Sequence, residues 1–89
     1  MRIDFDSVKS ALNDEERSLP LSAAAYFDFE TALFEIDDRH NYGELRFHAL
    51  GRIGDRVHAL VFTPIEDGIR VISLRKANKR EVNRYEQTR

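Results

Sequence analysis

The stretch from Gly68 to Tyr85 constrains the fold more than any other, because its chemistry changes within a few residues. Ile69, Val71 and Ser73 alternate with Arg70, Ile72 and Leu74 in a β-branched run, which predicts a strand buried at least partly on both faces. Asn78 then stands three residues before Glu81, so its side chain can accept from the Glu81 amide while the carboxylate reaches back to the Asn78 amide. This is a capping box with Asn in the Ser/Thr place. Val82 and Tyr85 fall on one side of the helix that follows, and Lys79, Arg80 and Arg84 project elsewhere. A strand therefore hands positive charge to a surface beside a sheet.

A chain of 89 residues hides only about 60 to 65% of its unfolded surface and leaves no room for division, so one domain is expected over residues 1–89. No apolar run approaches the roughly 20 residues of a membrane span, and Met1-Arg2-Ile3-Asp4 leads into acids where a signal peptide would turn apolar. With no cysteine, disulfides and thiolate metal sites are excluded, and a cytoplasmic location away from membranes is expected. The formal charge of -2 conceals two ends. Residues 70–89 hold seven of the 14 Lys and Arg and two of the 16 Asp and Glu, a balance of +5 against -7 for the remainder. A polyanion is drawn to the tail and repelled elsewhere, which argues against indiscriminate nucleic-acid binding.

Arg2 to Phe5 reads as a short strand, and Asp6 as the N-cap of a helix from Ser7 to about Glu16 with Val8, Ala11 and Leu12 inward. Ser18 and Pro20 break the chain before a second short helix, with Leu21, Ala24, Ala25 and Phe27 inward. Thr31 to Ile36 reads as a strand and residues 37–43 as a polar loop. From Glu44 a meander begins. Gly54-Asp55 suits a two-residue hairpin turn, which pairs Ile53 with Arg56, Phe47 with Phe62 and Arg46 with Thr63. A three-residue turn at Glu66-Asp67-Gly68 would pair Ile65 with Ile69 and Ala59 with Arg75. One face then collects Phe47, Ala49, Leu60, Phe62, Ile72 and Leu74, the expected core under the N-terminal helices. The other collects Arg46, His48, Leu50, Arg52, Ala59, Val61, Ser73 and Arg75, a basic face with small residues in its floor. Slipping the register by one residue would expose the six large apolar groups and bury the charged ones. The expected fold is α+β: an antiparallel meander sheet with two N-terminal helices packed on one face and a short C-terminal helix.

There is no glycine-rich phosphate loop, no His-Glu-x-x-His and no Gly-x-Ser-x-Gly, and His40, His48 and His58 are too scattered to suggest a metal site. No cofactor is expected. The Asp37-Asp38 pair with His40 reads as a solvated loop, and His58 as a packing residue on the core side. His48 differs, sitting between Arg46 and Leu50 on the basic face. Arginines on rigid strands can hold a phosphodiester by two-pronged hydrogen bonds and offset charge growing on its oxygens. RNA supplies its own nucleophile, the 2′-hydroxyl, so such a site can cleave it without a metal. The same arginines would equally suit the carboxylates of a protein partner.

Several runs carry a resemblance: residues 27–33 (Phe-Asp-Phe-Glu-Thr-Ala-Leu), Asp38-Arg39, Tyr42-Gly43-Glu44-x-Arg46, Leu50-Gly51, Val61-Phe62-Thr63 and, most specifically, Arg70 to Tyr85. Over about residues 3–86 the chain resembles the BrnT toxins. The resemblance implies a RelE-like fold and a type II toxin–antitoxin system whose toxin is a ribonuclease that arrests translation. It also implies a BrnA-type antitoxin partner with a ribbon-helix-helix domain, which contacts operator DNA for autorepression. Carried over to this chain, the family's basic and polar positions fall at Arg46, Arg75, Arg80, Glu81 and Tyr85. Where many members have Asn-x-x-Lys-His-Gly, Asn13 is followed here by residues 14–18, with Glu16 for the Lys and Arg17 for the His. That moves two charge units the wrong way for RNA, and an arginine stays protonated and makes a poor base.

Two functions follow as expectations. The first is a metal-independent endoribonuclease toxin in which Arg46 and Arg75 clamp the scissile phosphate. Arg80, Arg17, Arg52, Lys76, Lys79 and Arg84 hold RNA backbone, Tyr85 orients substrate or stacks on a base, and Glu81 or His48 is the general base. Glu81 is withdrawn from that role if it is committed to capping. The second is a catalytically weak homologue that serves as a binding subunit of an antitoxin–DNA complex, with an uncovered strand and the basic face accepting an acidic or extended segment of the partner.

Overall fold

The computed structural model describes residues 1–88; Arg89, counted above in the basic tail, lies outside them. Along the chain run β1 (Arg2–Asp4), α1 (Ser7–Arg17), a 3-10 helix (Leu21–Tyr26), β2 (Leu33–Ile36), β3 (Phe47–Ile53), β4 (Arg56–Ile65), β5 (Gly68–Lys76) and α2 (Lys79–Gln87). The architecture is α+β with a five-stranded sheet in the order β1-β5-β4-β3-β2. Strands β2 to β5 form the antiparallel meander, but β1 joins β5 in parallel, with Ile3 beside Ile69, so the sheet is mixed rather than antiparallel throughout. Gly68 permits this: a Cβ there would overlap the Arg2 carbonyl.

The β3–β4 hairpin has the predicted register, Ile53 with Arg56 through Phe47 with Phe62, and Gly54 takes the turn's positive φ of 64°. Pairing stops at Phe47, so Arg46 lies outside the strand. The β4–β5 hairpin differs in an instructive way. Its turn is one residue shorter than expected and pairs Ile65 with Gly68, and an irregularity between Val61 and Phe62 then skips Ile72, so that Ala59 still meets Arg75. The extra residue reverses the strand's parity. Val71 and Ile69, rather than Ile72, join Leu74 in the core.

The main core packs Leu21, Ala24 and Phe27 against Ala49, Leu60, Phe62, Ile69, Val71 and Leu74. The second N-terminal helix is a 3-10 helix, and its three-residue repeat buries Leu21, Ala24 and Phe27 while leaving Ala25 outside. The first is capped by Asp6 as predicted, its carboxylate accepting from the Val8 and Lys9 amides at 2.9 and 3.1 Å. Its inward face is not the predicted one. Val8 and Leu12 are 67% and 50% exposed, and Ser10 and Asn13 face inward. The Ser10 hydroxyl accepts from the Leu21 amide at 2.9 Å, and the Asn13 amide donates to the carbonyls of Leu19 and Leu74 at 2.7 and 2.9 Å. Backbone groups around the sharp turn into the 3-10 helix would otherwise be unpaired, which outweighs the burial of two apolar side chains.

The opposite sheet face is not open. α2 lies across it, and Leu50, Val57, Ala59, Ala77 and Tyr85 form a second core with Leu33 and Val82 packed against it. β4 is therefore buried on both faces.

Candidate active site

α2 begins with the predicted capping box: Asn78 Oδ1 accepts from the Glu81 amide, and Glu81 Oε1 accepts from the Asn78 amide, both at 2.9 Å. The same carboxylate reaches back to β5. Arg75 donates from Nη1 to Oε1 at 2.7 Å and from Nη2 to Oε2 at 3.0 Å. This end-on, two-pronged pair locks the helix N-terminus onto the strand. His48 of β3 completes the group, its Nε2 3.7 Å from Glu81 Oε2. Register explains the meeting, since Arg75 faces Ala59 and Ala59 faces Leu50, the residue two places along from His48. The small side chain of Ala59 leaves room for the guanidinium.

A cleft of about 270 Å³ opens over this trio, walled by Glu35, Ile36, Asp37, Asp38, Arg39 and Arg84. Arg39 sits in the loop after β2 and grips the buried Asp37 carboxylate at 2.7 and 2.8 Å. Arg84 pairs with Glu35 at 2.9 Å. Three guanidinium groups and an imidazole thus share one cleft with four carboxylates. Arg75, Arg39 and Arg84 each hold a carboxylate of their own, so the cleft presents donors with little net charge.

The pairing shapes ionisation. Hydrogen bonds from Arg75 hold the Glu81 carboxyl at about 2, against an ordinary value of 4.5. The Arg39 hydrogen bond likewise brings Asp37 to about 2 from 3.8. Burial lowers His48 below the ordinary 6.5, outweighing the opposite pull of Glu81, so its imidazole is neutral at pH 7. Because both carboxylates are depressed on folding, the stability they contribute is present above about pH 4.5 and lost as pH falls toward 2. Urea midpoints measured from pH 6 to 2 should fall through that window. Glu81→Gln should remove about 2 kcal/mol of the acid-labile part.

The other predicted site residues fall in several places. Arg46 is not in the cleft: it donates to Glu44 at 3.0 Å and stacks 3.9 Å over the Tyr42 ring, while Glu44 also accepts from Thr63. Four residues before Leu50 in the chain and two strands from Arg75, its backbone lies roughly 16 Å from that of Arg75 at usual sheet spacings. The shared clamp on one phosphate is therefore not assembled, because pairing with Glu44 and Tyr42 draws Arg46 to the loop. Tyr85 is 0% exposed beneath α2, its hydroxyl 3.4 Å from Thr31 Oγ1, and presents no surface to a substrate. Glu81 is committed to Arg75 and the cap. Arg52 and Lys79 line a separate hollow on another side of α2, floored by Val57, Ala77 and Val82. Lys76 and Arg80 are exposed at the end of β5 and the start of α2, and Arg17 ends α1, which packs against the 3-10 helix. Arg39 was missed. Its only signal was its place in the Asp38-Arg39 pair of the family-like runs.

No helix among the described residues is long and apolar enough to cross a membrane. A family model described as "Ribonuclease toxin, BrnT, of type II toxin-antitoxin system" matches residues 5–81. No curated protein and no solved structure matches the chain.

Proposed function

Since the chain belongs to the BrnT family of ribonuclease toxins of type II toxin–antitoxin systems, we propose that it is a metal-independent endoribonuclease whose RNA site is the cleft between α2 and the loop after β2. The observation that carries this reading is the arrangement of Arg75, Arg39 and Arg84 around a half-buried, neutral His48. Glu81 engages only the end of the Arg75 guanidinium, through Nη1 and Nη2. The side edge, Nε–H with the second Nη2 hydrogen, remains for two oxygens of a phosphodiester. Neutral His48 takes the proton of the 2′-hydroxyl, and the Glu81 carboxylate beside it stabilises the imidazolium that forms. As the 2′-oxygen bonds to phosphorus, Arg75 stabilises the negative charge gained by the equatorial oxygens; the bond from phosphorus to the 5′-oxygen then breaks, and that oxygen leaves with a proton from water. Arg39 and Arg84 hold the flanking phosphates. Lys76, Lys79, Arg80, Arg52 and Arg17 contribute to backbone attraction at longer range. In this reading the fold is RelE-like, the protein acts in the cytoplasm to arrest translation, and a BrnA-type antitoxin neutralises it and carries it to operator DNA.

Expression of the chain alone should arrest growth, and the purified chain should cut RNA in EDTA to leave 2′,3′-cyclic phosphate and 5′-hydroxyl ends. Those ends record attack by the 2′-hydroxyl. Cleavage that requires a divalent cation, or that leaves 5′-phosphates, would overturn the mechanism. The second reading, a weak or inactive subunit that binds its antitoxin, is favoured by the carboxylate held by each cleft arginine and by Glu16-Arg17 in place of Lys-His. Harmless high-level expression without RNA cleavage would select it.

A further inference from the structure

β2 is an edge strand, and its backbone bonding can be read from one contact. The Asp37 amide donates to the Arg46 carbonyl at 2.8 Å, in continuation of the β2–β3 register. Directly opposed residues in an antiparallel pair alternate between bonded and non-bonded, so Leu33 and Glu35 bond to β3. Phe34 and Ile36 therefore aim their N–H and C=O groups outward, and no other described residue takes them. Their side chains lie on one face beside Phe47 and Phe29, yet Phe34 and Ile36 are 43% and 63% exposed. The strand is short, but it carries no proline, no lysine and no bulge. Its surroundings are acidic, with Glu30, Glu35 and Asp38 exposed against Arg39.

We propose that β2 is the docking edge for an extended segment of the antitoxin, in which apolar side chains alternate with basic ones, added as a sixth strand. The apolar residues cover Phe34 and Ile36, and the basic ones face Glu35, whose exposed pair with Arg84 yields readily. The acidic edge favours such a peptide. The position also accounts for neutralisation. Residues 35–38 form one wall of the candidate active-site cleft, so a strand laid along β2 passes its mouth and shuts RNA out.

The proposal rests on the toxin–antitoxin reading, and one experiment separates the two. Amide hydrogen exchange is followed on the full chain, alone and with the purified antitoxin encoded by the adjoining reading frame. On complex formation the Phe34 and Ile36 amides should slow by about 100-fold, while those of Leu33 and Glu35, already bonded within the sheet, should change little. Phe34→Lys should weaken antitoxin binding about 10-fold or more and let RNA cleavage escape inhibition, with cleavage by the free chain unchanged. A complex that leaves both outward amides unprotected, or protects instead the exposed Val8 and Leu12 side of α1, overturns the proposal and leaves the toxin reading standing. Concentration-dependent protection of Phe34 and Ile36 in the chain alone overturns it in favour of a second copy. Failure to form any complex removes the toxin–antitoxin reading and the docking edge with it.

Discussion

Arg75→Ala is expected to abolish growth arrest and lower RNA cleavage by about 100- to 1000-fold, the usual loss when a donor to a developing oxyanion is removed. The loss should fall on turnover rather than on RNA affinity, because Arg39 and Arg84 remain to hold the backbone. The substitution also leaves the Glu81 carboxylate, whose side chain is only 12% exposed, without its two-pronged partner. A destabilisation of about 1 to 3 kcal/mol should accompany it, readable as a lower melting temperature with unchanged circular dichroism at 25 °C. Arg75→Lys separates the two effects: it retains a charge near Glu81 but lacks the planar edge that meets two phosphate oxygens. Recovery of stability without recovery of cleavage is the expected result. Full toxicity in Arg75→Ala would remove the residue from the mechanism.

His48→Gln should lower cleavage by about 100- to 10,000-fold, as expected when a positioned proton acceptor is lost. Of the two bases proposed from the sequence, Glu81 has too little proton affinity at about 2, and its oxygens are already hydrogen-bonded. His48 is held neutral by burial, so the rate should rise with pH along a limb whose midpoint lies below 6.5 and be flat through pH 7. The glutamine variant should lack that limb. An unchanged pH profile in His48→Gln would show that the proton goes elsewhere.

Much of the frame could be read from local chemistry. The Asp6 and Asn78 caps, the Gly54 turn and the β3–β4 register each depend on a few neighbouring residues. Elsewhere local patterns were misleading. Val8 and Leu12 formed the more apolar side of α1, but Ser10 and Asn13 turned inward because only they could bond the backbone of Leu19, Leu21 and Leu74. The bulge that skips Ile72 has no sequence signature, and it decided that Ile69 and Val71, rather than Ile72, joined Leu74 in the core. The roof over the second face had a signal that was not combined. Leu50, Ala59 and Val61 on the sheet and Val82 with Tyr85 on the helix are two apolar stripes, each needing a cover.

By itself the sequence determined that this chain would present arginines on a strand that leads into a capped helix, since caps and strand alternation act over a handful of bonds. Only the tertiary structure decided which of those arginines share a cleft. Docking of α2 joined Arg75, His48 and Glu81, buried Tyr85 and left Arg46 to its own carboxylate. Those outcomes depend on strand register and on the packing of segments some 30 residues apart in sequence, where a shift of one residue exchanges the two faces of a sheet.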